Sequence, residues 1–178
     1  MATEEETRLL STDEVNQLLD TWYPEGAVEK VKVLIVEDDQ ATRLLYNRGL
    51  FDQVFDKKLT PSGREALRLY DDWHPDIVLL DIFLSEMTGY QVLKEIRTTL
   101  SDRKTVIVMA TSLSGRDDVL SCIKLGADGY ITKPFPCGEI GAKILGYYAK
   151  REPDRAKTAT ALCTVIAKQT RLQSLRKS

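Results

Sequence analysis

The chain has 178 residues, 43% of them apolar, enough to bury one substantial core but not two full-sized ones. Its 25 Lys and Arg nearly balance 27 Asp and Glu, so the net charge of −2 exerts no global pull toward nucleic acid or an anionic membrane. Three scattered cysteines (Cys122, Cys137, Cys163), an acidic start without an apolar core, and aliphatic runs no longer than stretches such as Val106 to Ala110 argue against a disulfide framework, a zinc site or a membrane span; they imply a soluble cytoplasmic chain.

Residues 1–30 form an acidic extension, with eight acids against Arg8 and Lys30. Within it Ser11-Thr12-Asp13-Glu14 reads as a capping box, with Leu10 and Val15 placed as a hydrophobic staple. A short helix should start there and stop before Pro24 and Gly26. Val15, Leu18, Leu19 and Trp22 recur at helical spacing and give it an apolar face in want of a partner.

Residues 31–150 alternate short β-branched runs with helix-period segments. The spacing predicts strands over Val31–Val36, Val54–Leu59, Ile77–Leu80, Val106–Ala110 and Gly129–Ile131. It predicts helices over roughly Ala41–Phe51, Gly63–Trp73, Gly89–Thr99, Asp117–Leu125 and Gly138–Lys150. Runs such as Val33-Leu34-Ile35-Val36 are apolar at every position, as strands covered on both faces must be. The predicted fold class is therefore α/β, a doubly wound five-stranded parallel sheet with (βα)5 order.

Residues 151–178 form a basic tail: eight bases from Lys150 onward face only Glu152 and Asp154. Pro153 interrupts the chain, and Ala161, Leu162, Val165, Ile166, Leu172 and Leu175 then suggest a final amphipathic helix. A solvated charged face is the favoured reading of its bases; contact with nucleic acid is the alternative.

Ligands of open α/β sheets bind at the carboxyl ends of the strands, and the chemistry-bearing residues stand at such ends. The first run leads into Glu37-Asp38-Asp39, the third into Asp81, the fourth into Thr111-Ser112 and the fifth into Lys133-Pro134. Glu37, Asp38 and Asp81 are hard oxygen donors whose clustered charge suits Mg²⁺. Asp81, already ionised, can attack phosphorus without a general base. Lys133 and the Thr111 hydroxyl can hold phosphoryl oxygens as charge spreads over them. Taken singly, each has a plain structural reading: Asp39 as a helix cap, Thr111 as a turn residue, Lys133 as a loop lysine. Their order over the strand ends makes the functional one compelling.

With Val33 to Asp39, Pro75 to Leu84, Met87-Thr88-Gly89, Ala110-Thr111-Ser112, Gly126 to Tyr130 and Lys133-Pro134-Phe135 in view, residues 31–150 resemble the receiver domain of bacterial two-component response regulators, with its CheY-like, flavodoxin-like fold. The resemblance implies that Glu37 and Asp38 are the acidic pair, Asp81 the phosphorylated residue and the Phe83 backbone carbonyl a metal ligand. It implies a switch formed by Thr111 and Tyr130, and a cis bond before Pro134. The phosphoryl donor would be a sensor histidine kinase or phosphotransfer protein, and the output a change of protein partners. The N-terminal helix reads first as packing on its own domain; a latch on the receiver or self-association through that helix is the alternative. Ser85, Thr88 and Ser112 depart from the family's usual residues without removing a chemical group.

A phosphatase reading fails on the same residues. Haloacid-dehalogenase-type enzymes need a second Asp two positions after the nucleophile, where this chain has Phe83. His74, the single histidine, reads as a loop residue before Pro75. The chain is thus expected to catalyse no reaction beyond its own phosphorylation and dephosphorylation. Bulky Phe83 is expected to hinder water at the acyl phosphate.

Overall fold

The computed structural model describes residues 29–176, with side chains as far as Thr170 apart from Gln169; the predicted N-terminal helix, with Val15, Leu18, Leu19 and Trp22, lies outside the described residues. In chain order the elements are β1 Val31–Val36, α1 Gln40–Gly49, β2 Phe55–Thr60, α2 Gly63–Trp73, β3 Ile77–Leu80, α3 Gly89–Thr98, β4 Val106–Thr111, α4 Arg116–Leu125, β5 Gly129–Thr132, α5 Ile140–Tyr148 and α6 Pro153–Arg176. The strands form one parallel sheet in the order β2-β1-β3-β4-β5. The order reverses between β1 and β3, so a crevice opens beyond their carboxyl ends.

The all-apolar strands are covered on both faces. Leu34, Val36, Val78, Leu80, Ile107 and Met109 pack with Ala66 and Tyr70 of α2 and Val92, Leu93 and Ile96 of α3. Val33, Ile35, Ile77, Leu79, Val106 and Val108 alternate with them and are equally buried. On that side α1 meets β1, while α5 meets β3, β4 and α1. Period-two alternation within wholly apolar strands thus feeds two cores at once.

Several boundaries differ from expectation for local reasons. The predicted last helix of the repeat, Gly138–Lys150, divides into a 3₁₀ turn over Cys137–Glu139 followed by α5. The end of α1 packs backbone to backbone on that turn: a Cβ at Gly49 would lie 2.4 Å from the Cys137 carbonyl oxygen. α1 accordingly stops at Gly49 rather than Phe51, and β2 starts one residue later than predicted. His74 is not a free loop residue. It caps α2 in the left-handed region (φ 50°), its N–H donating to the Tyr70 carbonyl.

Pro153 does not break the chain but opens α6, where its missing N–H has no helical partner to lose. The buried positions of this helix include Ala156, Ala159, Leu162 and Ile166, whereas Ala161 and Val165 are exposed. Lys30–Cys163 forms one compact unit, so the first turns of α6 belong with the sheet; from Thr164 the helix lies in a second unit. Arg155 donates to Asp76 Oδ1 at 2.8 Å and Oδ2 at 3.2 Å, and the same carboxylate accepts from the Tyr148 hydroxyl and the Lys32 amide. All three cysteines are unpaired, Cys122 fully buried. Among the described residues no helix is long and apolar enough to cross a membrane.

Candidate functional site

The β1–α1 turn places the two leading acids differently. Glu37 is 1% exposed, its amide bonded to the Thr60 carbonyl of β2, while Asp38 faces solvent. Asp39 caps α1 by accepting from the Thr42 amide and hydroxyl at 2.7 and 2.6 Å. Arg43, one turn into the helix, donates to the carbonyls of Glu37 and Asp38, so the turn is held from the helix side as well.

Asp81 follows β3 and is buried, its amide bonded to the Val36 carbonyl. Its Oδ1 accepts from the Phe83 amide at 3.3 Å, which fixes one face of the carboxylate. The α3 N-terminus abuts it closely: the Gly89 amide bonds Ile82, and a Cβ on Gly89 would sit 2.0 Å from the Asp81 carbonyl oxygen. Thr88 caps α3 through a reciprocal box with Gln91.

Lys133 closes the crevice from β5. Its ammonium donates to Glu37 Oε2 at 2.5 Å and Asp81 Oδ2 at 2.7 Å. Its amide bonds the Thr111 carbonyl at the end of β4, and the following peptide to Pro134 is cis. Thr111 is fully buried, and its hydroxyl accepts a long bond (3.4 Å) from the Leu113 amide. Tyr130 on β5 donates its hydroxyl to the Leu113 carbonyl at 2.8 Å, tying the ring to the loop after Thr111. Burial, followed by the nearby Cys122 thiol and the charges of Asp118 and Asp81, pushes the Tyr130 phenol up to about 12.

One carboxylate oxygen from each of Glu37, Asp38 and Asp81 lies within 4.8 Å of the others. Three carboxylates against one ammonium leave the crevice short of positive charge. Burial raises the Glu37 carboxyl above its ordinary range, against the pull of the Lys133 hydrogen bond and charge, and the charge of Asp81 adds to the rise. This donor set, all hard oxygen and open to solvent at Asp38, fits a small hard dication such as Mg²⁺.

The fold, the strand-end carboxylates and the lysine from β5 agree with one family, and the profile described as Response regulator receiver domain matches residues 33–145. The chain belongs to the response regulator receiver family. Receivers of this family serve two-component signalling, take phosphoryl groups from histidine kinases and bind Mg²⁺ at an acidic pocket. This receiver is 37% identical over 114 residues to the cell cycle response regulator CtrA of Brucella ovis, covering 64% of this chain and 48% of that protein. It is 31% identical over 137 residues to the response regulator MprA of Mycolicibacterium vanbaalenii, covering 75% and 57%. The chain thus spans about half the length of the curated relatives it matches. Among solved structures it resembles the chemotaxis protein CheY4 of Vibrio cholerae, with TM-score 0.60, 25% identity and 69% and 99% of the two chains covered. It also resembles DrrB of Thermotoga maritima, with TM-score 0.61, 27% identity and 68% and 54% covered.

The receiver fold brings Glu37, Asp38, Asp81 and Lys133 together, with Thr111 joined to Lys133 through the backbone and Tyr130 set against the next loop. Phe83 meets Asp81 through its amide, while its side chain is 55% exposed beside the site. Sequence reasoning missed Tyr46. This α1 residue is buried with its ring stacked on Phe135 at 5.5 Å, and Lys133 Nζ stands 5.9 Å from the ring centre. A single aromatic beside Leu44 and Leu45 reads as ordinary core, and the sign that could have flagged it is its place on the helix that follows the acidic turn.

Proposed function

We propose that Asp81 is the phospho-acceptor of this receiver and that the phosphorylated domain acts by exchanging protein partners. The observation that carries the reading is the bridge from Lys133 to two buried carboxylates, Glu37 and Asp81, at adjacent strand ends. An Asp81 oxygen attacks the phosphorus of a phosphohistidine; a P–O bond forms, the P–N bond breaks, and its electron pair stays on the imidazole nitrogen. The product is an acyl phosphate. Lys133, already at Asp81, turns its ammonium to the phosphoryl oxygens, and the Thr111 hydroxyl donates to another. Glu37, Asp38, Asp81 and the Phe83 carbonyl would hold Mg²⁺, which supplies positive charge to the phosphoryl group. Drawing Thr111 toward the phosphate pulls the loop at Leu113, and Tyr130, bonded to that loop, carries the change to the surface around β5.

The test is phosphorylation by a small-molecule donor such as acetyl phosphate in the presence of Mg²⁺, followed by intact-mass and hydroxylamine-lability measurements. One labile phosphoryl group per chain, absent from Asp81→Asn, is expected; equal labelling of Asp81→Asn would sink the assignment.

The identity of the output partner is open to two readings. Self-association through Val15, Leu18, Leu19 and Trp22 is the first, tested by sedimentation with and without beryllofluoride. A nucleic-acid target is the second, suggested because several curated relatives bear the name transcriptional regulator. Two bases of the C-terminal segment are already engaged, Arg151 with Asp128 and Arg155 with Asp76, so such binding would fall to the remainder. Salt-dependent DNA binding that disappears on deleting residues 164–178 would support it.

A further inference from the structure

Tyr46 is 4% exposed, and its hydroxyl is buried without a hydrogen-bond partner of good geometry. Buried hydroxyls of folded proteins are almost always bonded, because a donor stripped of water and left unpaired is destabilising; phenylalanine would fill the same space without that penalty. The ring is not free to turn away. It stacks nearly parallel on Phe135, with 5° between the planes, and Phe135 follows the peptide that carries Lys133. The unpaired hydroxyl therefore belongs to the wall of the acidic crevice. Lys133 Nζ, which donates to Glu37 Oε2 at 2.5 Å, stands 5.9 Å from the centre of the ring, and a phenol is a hydrogen-bond donor at neutral pH.

Glu37 has the complementary problem. Its carboxylate is 99% enclosed and depends on the Lys133 ammonium, which it shares with Asp81. A phosphoryl group on Asp81 brings further oxygens that compete for that ammonium. When Lys133 turns to them, the Glu37 oxygen it leaves, Oε2, loses that ammonium in a place water hardly reaches, even with the other carboxylate oxygen turned to Mg²⁺. The nearby spare donor is Tyr46.

We propose that Tyr46 is a positioning residue for the phosphorylated state, its hydroxyl donating to the Glu37 carboxylate when Lys133 moves to the phosphoryl group on Asp81. The inference rests on the assignment of Asp81 as phospho-acceptor. Tyr46 touches neither the phosphorus nor the donor; it holds Glu37 in place while the lysine is engaged elsewhere.

The experiment compares the full chain with Tyr46→Phe by calorimetric titration, first with Mg²⁺ alone and then with beryllofluoride at saturating Mg²⁺; Asp81→Asn serves as the third protein. Loss of the hydroxyl should leave Mg²⁺ affinity within about twofold and weaken beryllofluoride binding by about fivefold or more, the scale of one hydrogen bond. A purely structural role would move both affinities together or neither, and either result overturns the proposal. Thermal unfolding of Tyr46→Phe checks that the ring still packs, and removing an unpaired hydroxyl should not lower its midpoint. If the unaltered chain fails to bind beryllofluoride, or Asp81→Asn binds it equally well, the Asp81 assignment is what has failed, and the proposal falls with it.

Discussion

Arg155, in the first turn of the last helix, grips Asp76 at the foot of β3 with its two terminal guanidinium nitrogens. The pair is partly shielded, and Tyr148 and the Lys32 amide complete the carboxylate's shell. Arg155→Ala should destabilise the domain by about 1–2 kcal/mol, above an exposed ion pair because the geometry is bidentate. Asp76→Ala, which strands three donors, should do more. Urea unfolding measures both, and an Arg155→Ala midpoint equal to that of the unaltered chain would mean the helix is not anchored there.

Lys133→Met removes the cation shared by Glu37 and Asp81. Phosphorylation by acetyl phosphate should slow by about a hundredfold or more, the scale of losing one charged stabiliser of the transition state. Mg²⁺ affinity should move the other way and rise, since the crevice loses positive charge while keeping its three carboxylates. Titration calorimetry beside phosphorylation kinetics checks the opposed signs.

Asp102 governs acid stability away from the crevice. Burial pushes its carboxyl up, but hydrogen bonds from the Tyr70 hydroxyl, the amides of Lys104 and Thr105 and the Thr105 hydroxyl outweigh that, bringing it down to about 2 from 3.8. A folded-state value below the unfolded one stabilises above pH 3.8, and the contribution is lost as pH falls from 3.8 through about 2. Allowing for solvent screening, this is about 1–2 kcal/mol at neutral pH. Asp102→Asn should therefore unfold more readily at pH 7, and its deficit should shrink below about pH 4; a deficit independent of pH contradicts the account.

Phe83 presents an exposed ring two residues after Asp81 while its amide holds Asp81 Oδ1. Replacing the ring with a small polar side chain should admit water to the acyl phosphate. Phe83→Asn is expected to dephosphorylate roughly tenfold faster, about 1.4 kcal/mol in the barrier. Decay of labelled phosphate after donor removal provides the rate, and an unchanged rate removes the shielding role.

The three central strands were legible because each carries an apolar run, Val33 to Val36, Ile77 to Leu80 and Val106 to Ala110, that leads into a polar residue. β1 and β3 match their predicted limits, and Glu37, Asp38, Asp81 and Thr111 stood out as the residues those runs led into, with Lys133 following β5. Helix ends were less legible where backbone packing sets them, as where Gly49 meets Cys137. The bond between Arg155 and Asp76 joins residues far apart in the chain and leaves no local pattern. Ala156 and Ala159 escaped notice because alanine says little about burial, and Tyr46 because a tyrosine on an amphipathic helix looks like filler until the fate of its hydroxyl is known.

Gly89 leaves no room for a Cβ against the Asp81 carbonyl. A saturation library across the loop from Ile82 to Gln91 should therefore be tolerant at exposed Ser85 and Glu86 and empty at Gly89, where even alanine would have to displace the peptide that carries the aspartate. That one position marks how little slack the scaffold has behind its reactive carboxylate: the loop can diversify in chemistry, but its closest approach is closed to drift.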